Sequence, residues 1–193
     1  MNVILDLDQT LISSIDYKEF TKQDKKRKKL FKTHDMADHY LVFERPGLQQ
    51  FLDFLFENYN VSVWTAASRL YATFIIQDII LQNKPNRKLD WIFYSYHCDI
   101  SQDETKSGGT KDLSLLWKEF KLKGFNSKNT VILDDYDEVY DTQPGNCIIA
   151  NPFEVTENDS EKDDFLIKLE SALKEHLHEG KSPAREVNKA MGN

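Results

Sequence analysis

In the stretch ILDLDQTL, two carboxylates and a hydroxyl, Asp6, Asp8 and Thr10, stand at alternate positions directly after an apolar run. Comparable groups close two further apolar runs. Thr65 lies near the end of VSVWTA, and Asp134 and Asp135 end TVILDD. Lys111 follows the turn-rich segment TKSGGT. Each apolar run reads as a buried strand of a parallel sheet, and such sheets carry their functional groups just beyond the carboxyl ends of the strands. Because strand side chains alternate, Asp6 and Asp8 share a side if the strand persists through them. Two carboxylates about 4 Å apart repel by roughly 4 kcal/mol at an effective dielectric of about 20. Asp134 and Asp135 add to that repulsion. Acids gathered at strand ends therefore call for a cation, and an oxygen-only set suits Mg2+ rather than zinc.

A metal held by carboxylates, with a hydroxyl and a lysine converging on it, is an arrangement for phosphoryl transfer. The metal and Lys111 would neutralise charge on the phosphoryl oxygens. One carboxylate would attack phosphorus and form an aspartyl-phosphate. The other would protonate the leaving oxygen and then activate water, a task that needs a pKa raised by burial or by a neighbouring carboxylate. Two rival readings fail on residue identity. DLDQTL begins like a calcium loop, but Leu11 stands at the glycine position and Tyr17 at the closing acid position. Cysteine-based phosphatase chemistry needs an arginine closing the loop after the nucleophile, and those positions after Cys98 and Cys147 hold Glu104 and Phe153.

The elements that must position these groups alternate along the chain, which favours an α/β domain with a largely parallel sheet. Strands are expected at Asn2–Asp8, Val61–Ala66, Thr130–Asp135, Asn146–Phe153 and Trp91–Tyr96. Helices are expected in RPGLQQFLDFLFENY, in SRLYATFIIQDIILQ opening on the capping residue Ser68, in DLSLLWKEF and in DDFLIKLESALKEHL. Residues 13–44 read as a flap inserted over the sheet, with seven basic residues within Lys22–Lys32 in what is expected to be a solvated loop. Residues 83–110 read as a second insertion. A single catalytic domain is expected over residues 1–180, and residues 181–193, polar and carrying Pro183, are expected to form a flexible tail. Trp64 and Trp91 are both expected in the core.

Composition narrows the classes further. With 193 residues, 40% of them hydrophobic, the chain can bury a substantial core. A net charge of −7 argues against general nucleic-acid coating, so nucleic acid is not the favoured partner. The two cysteines form no CxxC pair, which argues against a disulfide scaffold or a structural zinc site. No secretory leader and no span-length apolar stretch is evident, so an intracellular, soluble protein of nucleus or cytoplasm is expected, without a membrane partner.

The segments DLDQTL, VWTAAS, TKDLSLLW and VILDDYDEVYDTQPGN resemble the four motifs of the haloacid dehalogenase superfamily. More narrowly they resemble its C-terminal-domain phosphatase branch, with the NLI-interacting-factor-like proteins. RPGLQQFL and the segment from QPGN to PF are similar to that branch too, and the resemblance runs from Val3 to about Leu177. It implies a Rossmann-like three-layer sandwich with a central parallel sheet, small insertions and no large cap domain. It also implies Asp6 as nucleophile, Asp8 as general acid/base, and Thr65 and Lys111 as the phosphate-binding pair. Mg2+ would be held by Asp6, the Asp8 carbonyl and Asp134, with Asp135 near the metal. Thr10, which braces the loop, Ala66 and Arg69 fall to substrate binding. Gln9 replaces a common glutamate. A phosphate-binding arginine of the small members is replaced near Ser95, with Arg69 and Arg87 as candidates to stand in for it. The implied substrate is phosphoserine or phosphothreonine in a protein, like the RNA polymerase II tail. The alternatives are phosphate on nucleic-acid ends or small esters, or a non-catalytic phosphoprotein-binding relative. The short chain also resembles the minimal stand-alone members, including those that large DNA viruses encode.

Overall fold

β1 (Asn2–Leu5) is buried along its whole length, and in the computed structural model, which describes residues 1–193, it lies at the centre of the main sheet. The strand stops short of the acids: Asp6 to Asp8 lie in the loop beyond it, turned by Gln9 at a left-handed φ of 59°. The chain then builds the flap from β2 (Ile12–Asp16), α1 (Lys22–Arg27), β3 (Thr33–Met36) and β4 (Tyr40–Glu44), with the antiparallel order β2-β4-β3. The first part of the basic run, Lys22–Arg27, is thus a helix rather than the expected loop, while Lys28, Lys29 and Lys32 lie exposed in the segment after it. Thr21 and Asp24 form a capping box at the start of the helix, and Arg27 pairs with Asp24 at 2.7 Å.

Beyond the flap come α2 (Leu48–Asn58), β5 (Asn60–Trp64) and α3 (Arg69–Ile75), whose Ser68 cap accepts from the Tyr71 amide. α3 continues as a π-helical turn over Ile76–Leu81. There follow β6 (Ile92–Phe93), α4 (Ser95–Glu104), α5 (Ser114–Lys118), β7 (Thr130–Asp134), α6 (Asp137–Thr142), β8 (Cys147–Ile149), α7 (Phe165–His176) and α8 (Arg185–Met191). The main sheet is parallel throughout, in the order β6-β5-β1-β7-β8.

Strand alternation sorts the core into two layers. Val3, Leu5, Val61, Val63, Val131 and Leu133 pack with α2, α3, α7 and α8 on one face. Ile4, Trp64 and Ile132 pack with α4, α5 and α6 on the other. This is the three-layer α/β arrangement expected from the sequence. No helix is long and apolar enough to cross a membrane.

Three local expectations are corrected. Residues 83–110 are more than an insertion over the sheet, because they contribute its edge strand β6 and the covering helix α4. The tail is not frayed: Ala184 and Val187 of the 181–193 segment join the main core. The Asn188 amide donates to the Cys147 carbonyl at 2.8 Å, and its oxygen accepts from Ile149 N–H at 3.1 Å, so it caps the open edge of β8. Polar composition hid this because one buried amide replaces a missing strand neighbour. Trp91 is 45% exposed, stacked outside Phe93, whereas Trp64 is fully buried.

Candidate active site

Sheet register brings the first two acids together. Ile4 pairs with Ile132 and Leu5 with Leu133, and the Asp6 amide continues the ladder by donating to the Leu133 carbonyl at 3.0 Å. Asp6 and Asp134 therefore emerge on the same face, that of Ile4 and Ile132. Both are buried, and Lys111 bridges them: Nζ lies 2.6 Å from Asp6 Oδ1 and 2.7 Å from Asp134 Oδ2. The lysine is delivered by a loop whose backbone is clamped in place by the side chains of Gln143 and Glu138. Gln143 donates to the Lys111 carbonyl at 2.7 Å and accepts from Leu113 N–H at 3.0 Å. Glu138 accepts from the Thr110 amide and hydroxyl at 3.1 and 2.7 Å. A Cβ at Gly109 would come within 2.9 Å of the Glu138 carboxylate, so glycine lets the loop approach without displacing that clamp.

Burial and the Asp6 charge outweigh the lysine at Asp134, whose carboxyl is held well above its ordinary range. The two carboxylates outweigh desolvation at Lys111 and keep it firmly an ammonium. Asp135 accepts from the Thr10 hydroxyl at 2.8 Å, and burial raises its pKa. Thr10 in turn is fixed from behind by Arg45, a buried guanidinium that donates to the Thr10 and Asn151 carbonyls at 2.9 Å. The same guanidinium forks onto Asp163 at 2.9 and 2.8 Å.

Asp8 stands apart from this cluster. Its Oδ1 accepts from the Tyr71 hydroxyl at 2.6 Å, and burial pushes its pKa up to about 6. The buried Thr65 hydroxyl accepts from Ala67 N–H at 3.1 Å, which leaves its own proton free. Ala66 and Arg69 are exposed beside it, at the start of α3. The Ser95 amide donates to the Ala67 carbonyl at 3.1 Å, so this position adjoins the same loop without supplying a charge. Arg87 is corrected as a stand-in for the missing arginine. It is 3% exposed, donates to Asp53, Gln49 and the Ile80 carbonyl, and braces the π-helical turn instead. Tyr71, Gln143, Glu138 and Arg45 escaped the sequence-based set. The signal for Arg45 and Gln143 was present in RPG and QPG, but Tyr71 read only as an apolar helix residue.

Oxygens of Asp6, Asp134 and Asp135 lie within 4.8 Å of one another, and the Asp8 side chain is outside that group. One ammonium against three carboxylates leaves the buried group short of positive charge. A hard divalent cation corrects that imbalance, and the oxygen-only donors fit Mg2+. A pH dependence follows for the metal-free protein. Asp8, Asp134 and Asp135 bind protons more tightly folded than unfolded. Their stabilising contribution is fully present below the ordinary value of 3.8 and is lost as pH rises through the folded value, about 6 for Asp8. Burial lowers the pKa of His97, which works in the opposite direction. In chelator, thermal denaturation should show a higher melting temperature near pH 5 than near pH 7.5, and Mg2+ should flatten the slope. A melting temperature that rises across this interval in chelator would contradict the charge balance described.

A family model described as NLI interacting factor-like phosphatase matches residues 1–184. A CTD phosphatase-like protein of Invertebrate iridescent virus 6 is 43% identical over 180 residues, covering 92% of this chain and 99% of that protein. Its counterpart in Invertebrate iridescent virus 3 is 41% identical over 179 residues, covering 89% and 94% respectively. Ubiquitin-like domain-containing CTD phosphatase 1 of Danio rerio is 29% identical over 133 residues, 68% of this chain and 41% of that one. Among solved structures, the fission yeast RNA polymerase II CTD phosphatase Fcp1 bound to beryllium fluoride aligns with a TM-score of 0.54 at 19% identity. The alignment covers 99% of this chain and 61% of that chain, a likeness of fold.

Proposed function

The chain belongs to the NLI interacting factor-like phosphatase family, and on that premise we propose that it is a Mg2+-dependent hydrolase of phosphoserine and phosphothreonine in protein segments. The observation that carries this reading is the Lys111 bridge between Asp6 and Asp134, with Asp8 held separately beside it. Lys111 occupies Asp6 Oδ1, so Oδ2 has no partner in the protein and serves as nucleophile. It attacks phosphorus as the leaving oxygen takes a proton from Asp8, which yields an aspartyl-phosphate on Asp6. Asp8, now a carboxylate, removes a proton from water. The water oxygen displaces the Asp6 oxygen from phosphorus, and inorganic phosphate departs. Lys111, the free Thr65 hydroxyl proton and the exposed Arg69 meet the phosphoryl oxygens. Bound Mg2+ would be held by Asp6, Asp134 and Asp135 and would supply neutralisation of phosphoryl charge.

The absence of a large cap domain, which the family resemblance implies, suits a phosphorylated protein segment better than a small metabolite. A second reading has one observation in its favour: Lys22, Lys25, Lys26, Lys28 and Lys29 are exposed on or beside α1, and a backbone of phosphates would meet them. Initial rates in Mg2+ on a phosphoserine peptide with the polymerase-tail repeat and on a terminally phosphorylated oligonucleotide separate the two. The peptide should be the better substrate. A faster oligonucleotide would move the function to nucleic-acid ends, and hydrolysis of neither would remove the catalytic reading for these substrate classes.

A further inference from the structure

Tyr71 belongs to none of the motif positions and yet makes the one hydrogen bond that any protein group gives to the Asp8 carboxyl, 2.6 Å from Oη to Oδ1. The tyrosine is 9% exposed and is fixed on three sides. Its amide is tied to the Ser68 cap at the start of α3, directly after the Thr65 loop. Its ring meets Tyr40 of β4 edge-on, with centroids 5.5 Å apart at 84°. Its hydroxyl ends on Asp8. A carboxyl with one oxygen held by a rigid, buried phenol has its rotation restricted, and its second oxygen points to a fixed place. Asp8 Oδ2 has no partner in the protein.

We propose that Tyr71 is the positioning residue for Asp8: its hydroxyl holds Oδ1 so that Oδ2 faces the leaving oxygen of the substrate. This rests on the acid/base role given to Asp8 above. In the first step the proton on Oδ2 passes to the leaving oxygen as the bond from that oxygen to phosphorus breaks, and the Tyr71 O–H stabilises the resulting carboxylate. In the second step Oδ2 takes a proton from the attacking water. Tyr71 keeps its own proton throughout. Because the ring also rests on Tyr40, the flap and the α3 segment jointly set the angle of the acid.

The test compares leaving groups. p-Nitrophenolate departs without protonation, whereas the alkoxide of a phosphoserine peptide needs an acid. Positioned acid/base groups contribute about 10² to 10⁴-fold, so partial misplacement is expected to cost on the order of 10-fold or more. Tyr71→Phe should lose that factor in the first-turnover rate on the phosphoserine peptide while the first-turnover release of p-nitrophenolate changes little. The second step, which needs Asp8 as base, should slow on both. In an Asp8→Asn background, adding Tyr71→Phe should cause no further loss, because the tyrosine acts through the missing acid. An equal first-turnover loss on both substrates, or an undiminished first-turnover loss in the Asp8→Asn background, would overturn the proposal and leave the phosphatase reading standing. An Asp6→Asn protein as active as the parent would instead sink that reading and this inference with it.

Discussion

Asp6→Asn is expected to lower turnover of p-nitrophenyl phosphate by about 10⁴-fold or more, the scale seen when a covalent nucleophile is removed. An amide oxygen carries no charge to push onto phosphorus, and the neighbouring carboxylates are engaged, Asp134 by Lys111 and the Tyr136 amide and Asp135 by Thr10. The fold should not suffer. Lys111 keeps its 2.7 Å bond to Asp134, and the like-charge repulsion that Asp6 imposes on Asp134 disappears. The purified variant in chelator should therefore melt no lower than the parent. Loss of activity together with collapse of the melting temperature would mean that Asp6 is a structural acid instead.

Lys111→Met should damage both stability and activity. Removing one partner of a buried ion pair costs about 3–5 kcal/mol, because the remaining charge is stranded. Here the variant strands two, since Asp6 and Asp134 lose their shared ammonium. The loop itself should hold, because Gln143 and Glu138 clamp the backbone on both sides of the lysine. The loss is thus electrostatic, and Mg2+ should restore more melting temperature in the variant than it adds to the parent. Turnover should fall about 10² to 10³-fold in saturating Mg2+, the usual effect of deleting one preorganised charge donor. A variant that melts like the parent in chelator would show that the bridge carries no weight in the fold.

The strand ends were legible in the sequence because a buried parallel strand is a continuous apolar run, so an acid at its close stands out. Asp6 and Asp134 were visible for that reason, and their convergence needed only the register of β1 with β7. Lys111 was visible from its turn. What escaped depends on contacts between distant elements. Tyr71 sits on the apolar face of α3, where a tyrosine reads as core, and only the fold shows its hydroxyl reaching Asp8. Arg87 read as a free cation, yet Asp53 and Gln49 of α2 consume it. The tail looked too polar to fold, because Asn188 stabilises a strand edge through its amide rather than through apolar area. The flap helix α1 was hidden by its lysines, although the Thr21–Asp24 box that starts it was readable.

The most direct measurement is to trap the phosphorylated enzyme. Asp8→Asn protein in Mg2+ should still release p-nitrophenolate once per molecule, since that leaving group needs no acid, and should then stall for lack of a base. Acid quenching at the plateau, borohydride reduction of the acyl phosphate and peptide mass spectrometry are expected to find homoserine at position 6. A burst with position 6 unmodified, or with the label on another residue, would contradict the assignment of Asp6 as the nucleophile.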